Sequence, residues 1–201
     1  MLTRNQRILK RFFDISISIV LLFFAIIPLV LLLILATIDL NRTGFFTQER
    51  IGQLGKPFAL YKIRSLIGSN HEDIASIVKN ETKFGRWLRS NKLDELPQIF
   101  NVLTGNMSLI GPRPDVAGYA DRLEGDDRII LSLKPGITGP ATIKYRNEDQ
   151  LLLQQEDPKS FNDEVIWPDK IIINKNYIKN WSLRKDIGYL FASVLGVGSG
   201  E

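Results

Sequence analysis

The pattern of apolar and polar positions divides the chain near residue 44. Ile15 to Ile38 is a run of 24 residues without a charge, longer than the roughly 20 that cross a bilayer as a helix. A run of this length with no small-residue cleavage site after it is not the pattern of a cleavable leader. Pro28 stands near its middle, where a missing backbone donor and a ring against the preceding turn predict a kink or break. Each half then has about 13 residues and reaches about 20 Å, short of a hydrocarbon core of roughly 30 Å. Both flanks are basic, with Arg4, Arg7, Lys10 and Arg11 before the run and Arg42, Arg50 and Lys56 after it. Flanking charge therefore gives no orientation. The residues leave a single kinked span and a re-entrant hairpin both open, with Asp14 and Asp39 at the interface in either case.

Beyond residue 44 the patterning becomes that of a small mixed domain. Residues 45–64 predict two short strands around a turn supplied by Gly52 and Gly55. On the second, Phe58 to Arg64, Lys62 and Arg64 fall on one face about 7 Å apart. That spacing suits a pyrophosphate as well as it suits a solvated strand face. Residues 71–90 predict a helix ending in Gly85-Arg-Trp-Leu-Arg89. Residues 94–104 predict another, with Leu96, Phe100 and Leu103 on its apolar face and Gly105 as its stop. Met107 to Pro114 and Lys134 to Pro140 predict two rigid, turn-rich loops. The acidic stretch 147–165 predicts solvated helix. Residues 187–195 predict an apolar helix that suits either core packing or the membrane interface, and 196–201 a flexible tail. The division expected is thus a membrane element over 1–44, a small mixed domain over 45–195, and the tail.

Composition narrows the chemistry. The chain has no cysteine and one histidine, His71, so thiolate metal sites and disulfides are excluded. A metal here would be a hard cation on carboxylates, such as Mg²⁺. Residues 1–44 carry five basic and two acidic side chains, whereas residues 45–201 carry 21 and 20. The excess charge thus lies beside the apolar run, where anionic headgroups would meet it. No basic-aromatic module marks a nucleic-acid binder, so no nucleic-acid partner is expected.

Leu93-Asp-Glu-Leu-Pro-Gln98 is the most informative stretch. Pro97 is tolerated only in a first turn, which predicts a helix start near Leu93 or Asp94. Asp94 and Glu95 would then sit at the positive end of a helix dipole, in a polar stripe with Gln98 and Asn101. Such a pair is by itself an ordinary helix cap. A carboxylate can also act as a nucleophile toward phosphorus, with a neighbour holding Mg²⁺.

Ordered motifs decide between these readings. Phe45-Phe-Thr-Gln-Glu-Arg50, Gly55-Lys-Pro-Phe58, Tyr61-Lys-Ile-Arg-Ser65, Gly85-Arg-Trp-Leu-Arg89, Leu93 to Gln98, Asn101-Val-Leu-Thr-Gly105, Met107 to Pro114 and Lys134-Pro-Gly-Ile-Thr-Gly139 stand in that order. With them the chain resembles, from about Arg11 to Asp186, the bacterial sugar transferases, in the small form of the monotopic phosphoglycosyl transferases. The resemblance implies a mostly helical α+β fold. A proline-broken re-entrant membrane helix would precede a small cytoplasmic α/β catalytic domain with interfacial amphipathic helices.

It also implies transfer of sugar-1-phosphate from a UDP-sugar to polyprenyl (undecaprenyl) phosphate at the cytoplasmic face of the bacterial inner membrane. Asp94 would be the nucleophile, Glu95 the Mg²⁺ ligand, and Lys62, Arg64, Arg89 and Arg113 the phosphate or nucleotide contacts. UMP would be released, and downstream glycosyltransferases would take up the product. The contrasting reading is a single-span anchored adaptor that binds nucleotide or phosphate without turnover. Ile63, Asn91-Lys92 and Pro140-Ala-Thr142 depart from the family's usual residues and leave the Asp-Glu pair untouched.

Overall fold

A computed structural model describes residues 2–68 and 74–196. His71, the expected start of the second helix and residues 197–201 of the expected tail lie outside the described residues. The remainder is helical for the most part, with two small sheets.

The apolar run forms a single helix, α1 (Arg4–Leu40). Thr3 caps it in a reciprocal box with Gln6: the Thr3 hydroxyl accepts from the Gln6 amide and the Gln6 side chain accepts from the Thr3 amide. Pro28 lies inside the helix without ending it, so the expected interruption is not an unwound segment. Proline removes one i→i−4 bond, the one to Phe24, and the remaining ladder carries the helix past it. Both halves of α1 pack on the same domain. Leu2, Phe13 and Ile17 join the main core with Val102, Met107, Leu109, Ile110 and Tyr177. Leu29, Leu32 and Ala36 form a second cluster with Ile63, Leu88, Leu96 and Phe100. Between them Phe23 and Phe24 are 77% and 72% exposed.

The predicted hairpin is present as β1 (Phe45–Ile51) and β2 (Pro57–Ile63), antiparallel, with Phe46 opposite Lys62 and Gln48 opposite Leu60. Gly55, at a φ of 78°, turns the chain between them. The helix expected over 71–90 is two helices, α2 (Ile74–Asn80) and α3 (Lys83–Ser90). Thr82 separates them because its hydroxyl caps α3 at the Gly85 amide. The same hydroxyl donates to Asp39 at the end of α1.

The helix expected from Leu93 or Asp94 begins later. Leu93–Glu95 is a 3₁₀ turn, and α4 runs Gln98–Thr104, stopped at Gly105 as expected. An α-helix through Leu93 would need an amide at position 97 to meet the Leu93 carbonyl, and Pro97 has none. The turn closes one residue earlier instead, with the Leu96 amide on the Leu93 carbonyl.

The two loops expected at 107–114 and 134–140 are partly strand, β3 (Ser108–Ile110) and β4 (Gly136–Thr138), paired in parallel. Glycine permits their approach: a Cβ on Gly136 would stand 2.2 Å from the Gly111 amide nitrogen, and one on Gly139 2.3 Å from the Gly111 carbonyl oxygen. Helices α5 (Pro140–Lys144), α6 (Glu148–Leu153), α7 (Pro158–Phe161), α8 (Trp167–Lys179) and α9 (Leu183–Leu195) complete the domain, with a π-helical turn over Asn162–Ile166. The acidic 147–165 stretch is thus helical in short pieces.

A buried polar lattice fastens α1 to this domain. Lys10 donates to the Ile110 carbonyl and to Asp186, 2.8 and 2.7 Å away, and Asp186 also accepts from Tyr177 and Trp181. Asp14 accepts from the Ser108 hydroxyl and the Leu109 amide. Asp14 is buried, and its partners hold β3 just before Arg113.

Candidate functional site

Asp94 and Glu95 are held in a tight place. Lys92 takes a φ of 56°, reversing the chain after α3. Leu93 and Leu96 then sink into the second apolar cluster, leaving the two carboxylates on the opposite side. They are 5% and 8% exposed. Behind them Asn101 is turned toward β2. Its side chain accepts from the Tyr61 amide and donates to the Ala59 carbonyl, 2.9 and 2.7 Å away. That pair of bonds pins β2 to α4 and so sets Lys62 beside the dyad.

The two carboxylates are served differently. Glu95 is gripped by both ends of the Arg113 guanidinium, at 2.5 and 3.4 Å. Against burial, the Arg113 charge draws the Glu95 carboxyl well below the usual glutamate range, and Glu95 in turn raises Arg113. Asp94 has no such partner. One carboxylate oxygen stands 3.9 Å from Lys62 Nζ, and the other, Oδ1, is buried without a hydrogen bond. Burial raises the Asp94 carboxyl, the Glu95 charge adds to that, and Lys62 opposes it. Lys62 is itself lowered by burial.

A cleft adjoins the dyad, lined by Arg50, Leu60, Lys62, Gln98, Arg113 and Pro114. Three cations against two carboxylates suit a phosphate-bearing ligand. Arg50 had stood out only as part of a basic flank. Its place follows from strand register, since Gln48 and Arg50 share the β1 face that opposes Leu60 and Lys62. Burial, with Arg113 nearby, brings Arg50 down to about 10. Asp115, also not singled out beforehand, is pushed up to about 6, mainly by burial. It borders a second, more apolar recess with Ile51, Pro112, Ala120 and Leu131, which Arg113 also lines.

Not every expected residue converges. Arg64 shares a strand side with Lys62, but its guanidinium donates to the Thr43 carbonyl and lies over the Phe46 ring, 4.9 Å from its centre. Arg89 acts on Asp94 through its charge, while its hydrogen bonds and ion pairs go to Glu81 and Asp149. Among the described residues no three His, Cys, Asp or Glu side chains gather. A magnesium ion would draw on this dyad and on ligand phosphates. The free Oδ1 of Asp94 next to Glu95 fits such a donor set, because Mg²⁺ commonly takes one or two carboxylates with substrate oxygens.

Comparison with known proteins bears on what this arrangement does. Residues 5–200 match the model of the bacterial sugar transferase family. The chain is 33% identical over 207 residues to the undecaprenyl-phosphate galactose phosphotransferase of Salmonella typhimurium, across 94% of this chain and 40% of that protein. It is 36% identical over 200 residues to the UDP-glucose:undecaprenyl-phosphate glucose-1-phosphate transferase of Escherichia coli, again across 94% of the chain and 40% of the relative. The uncharacterized sugar transferase EpsL of Bacillus subtilis is 33% identical over 190 residues and is matched over 86% of its length. The chain thus spans about two fifths of the first two relatives and most of the third.

Proposed function

Because the chain belongs to the bacterial sugar transferase family, we propose that it transfers a sugar-1-phosphate from a UDP-sugar to undecaprenyl phosphate, with Asp94 as nucleophile. The observation that carries this reading is the state of Asp94: a buried carboxylate with one oxygen free of hydrogen bonds, beside a cation-lined cleft. A carboxylate whose hydrogen bonds are incomplete keeps its lone pairs available for bond formation.

In the first step an Asp94 oxygen attacks the phosphorus that bears the sugar. The bond from that phosphorus to the bridging oxygen breaks, and UMP leaves with the electron pair. In the second, an oxygen of the lipid phosphate attacks the same phosphorus, the bond to Asp94 breaks, and the carboxylate is regenerated. Lys62, Arg50 and Arg113 offset charge on the phosphate oxygens throughout. Glu95, with the donor phosphates, would hold the magnesium ion, which would supply additional charge neutralisation on those oxygens. Arg113 keeps Glu95 ionised for that role. The test is intact-protein mass spectrometry after incubation with a panel of UDP-sugars and Mg²⁺ without acceptor. A phosphosugar adduct on Asp94, with matching UMP release, is expected; UMP release without any adduct would sink the covalent route.

The same reading gives α1 a role, since it carries the site to the membrane surface, where a water-soluble donor meets a lipid acceptor. We take α1 as entering and leaving by the cytoplasmic face of the inner membrane, with Phe23 and Phe24 deepest. The support is that both halves pack on one domain. Arg11 donates to the Val102 and Leu103 carbonyls of α4, while Leu29 and Leu32 cluster with Phe100 and Leu96 of the same helix. A straight helix would carry Arg11 and Leu32 about 31 Å apart, three times the length of α4. Cysteines placed singly at Asn5 and Lys56 should both resist an impermeant thiol reagent applied to intact cells. Labelling of one alone would establish a span.

A further inference from the structure

We propose that Arg11 and Lys134 form a binding site for the phosphate of a membrane lipid headgroup, at the opposite end of α4 from the catalytic dyad. The proposal rests on the membrane reading of α1, though not on whether α1 spans or re-enters.

The geometry centres on Gly105. This residue closes α4 in the left-handed conformation, with φ at 90°. A Cβ placed on it would stand 3.3 Å from Lys134 Nζ and 3.5 Å from Arg11 Nη2. Two cations therefore lie side by side over a residue without a side chain. Arg11 is fixed there by its bonds to the Val102 and Leu103 carbonyls, at 2.6 and 3.0 Å, and a guanidinium has further N–H donors beyond these two. The Lys134 ammonium has no hydrogen bond or ion pair among the described residues. Asp14 is the carboxylate whose charge reaches it, and the Asp14 oxygen Oδ1 already takes the Ser108 hydroxyl and the Leu109 amide. Partial burial and then Arg11 hold Lys134 below the usual lysine range. Like charges brought together in this way are relieved by an oxyanion between them, which two N–H-rich cations bind with charge-assisted hydrogen bonds.

The source of that oxyanion follows from depth. Arg11 lies one helical turn before Ile15, where the uncharged run begins. Ile8, Leu9 and Phe12, on the same turns of α1, are exposed apolar side chains. A pair of cations beside turns of α1 that also carry such side chains matches the level of lipid phosphates, with acyl chains against the apolar residues.

The experiment uses the full chain in maltoside micelles, which contain no phosphate. Acetylation of Lys134 by an activated ester is followed by peptide mass spectrometry, with exposed Lys56 as internal reference. Dioleoyl phosphatidylglycerol, dioleoylglycerol and inorganic phosphate are added separately. Phosphatidylglycerol is expected to slow Lys134 about fivefold relative to Lys56, the scale of one lysine–anionic lipid interaction. The other two additives are expected to leave the ratio unchanged. In native mass spectra, Lys134→Gln should retain one fewer phosphatidylglycerol than the wild type. Equal slowing at both lysines would show only micelle surface charge and overturn the site. Protection by dioleoylglycerol would show chain burial alone, and protection by inorganic phosphate a soluble-anion site; either overturns the lipid assignment, as does no protection at all. Adduct formation on Asp94 is read separately, so failure here and failure of the transferase reading are distinguishable.

Discussion

Asp186 and Asp94 are both buried, at 0% and 5% exposure, yet the chain treats them in opposite ways. Asp186 is saturated. Lys10 and Trp181 donate to one of its oxygens and Tyr177 to the other. Asp94 is left with a cation at 3.9 Å and an oxygen that nothing meets. A buried charge with complete partners holds structure together, and removing one partner is costly because the others remain desolvated. A buried charge with incomplete partners weakens the fold and is kept where chemistry needs it. The contrast is that of a fastening with the group proposed above to react.

Exchange of each aspartate for asparagine is the most direct way to break that comparison. Asp94→Asn is expected to lower turnover by on the order of 10⁴-fold, about 5 kcal/mol of barrier. Thermal unfolding in detergent should be unchanged or shifted upward, since the substitution removes a poorly paired charge. Asp186→Asn should do the reverse. It leaves Lys10 buried beside a neutral amide and is expected to cost about 3–5 kcal/mol of stability, with turnover per folded molecule kept within a few-fold. A large stability loss from the first variant, or a turnover loss without unfolding from the second, would erase the distinction.

A third side chain sharpens it from the structural side. Asn101 lies two turns beyond the dyad and touches no candidate ligand position; it acts through the two backbone groups it bonds on β2. Asn101→Ala leaves the Tyr61 amide and the Ala59 carbonyl unsatisfied and should cost about 2–3 kcal/mol of stability. Because β2 carries Lys62, donor affinity should weaken more than turnover. Equal KM and kcat in variant and wild type would show that Lys62 does not depend on this anchor.

What the sequence made legible follows the range of the interactions concerned. The β1–β2 hairpin was readable because Gly52 and Gly55 mark its turn locally, and the stop of α4 because Gly105 marks it. The β3–β4 pair was not, because each strand has three residues inside a glycine- and proline-rich loop and finds its partner far along the chain. The partners of Asn101 were hidden for a related reason: helical spacing gives its face, but only tertiary packing shows that β2 waits there. Arg50 was hidden because strand alternation assigns a face only after the register is known. The Asp94–Glu95 pair stood out through the ordered motifs around it, although Pro97 moved it out of the helix that its pattern suggested. Arg64, read from alternation and from the resemblance, shares a side with Lys62 but reaches Thr43 and Phe46.

The smallest expected effect concerns acid dependence and probes the incomplete pairing of Asp94 directly. The nucleophile is the ionised form, and burial raises the Asp94 carboxyl. Activity should therefore be lost, as pH falls, at a higher pH than an ordinary aspartate would impose. Lys62 opposes the rise, so Lys62→Met should move the acid limb upward. Glu95 contributes to the rise, so residual activity in Glu95→Gln should show the limb displaced downward. The pair of variants gives opposite signs at one group, which a general loss of folding or of donor binding does not produce. The measurement is single-turnover UMP release across a pH series at saturating donor. Limbs that move together, or stay where the wild type has them, would mean that a group other than Asp94 carries the reacting charge.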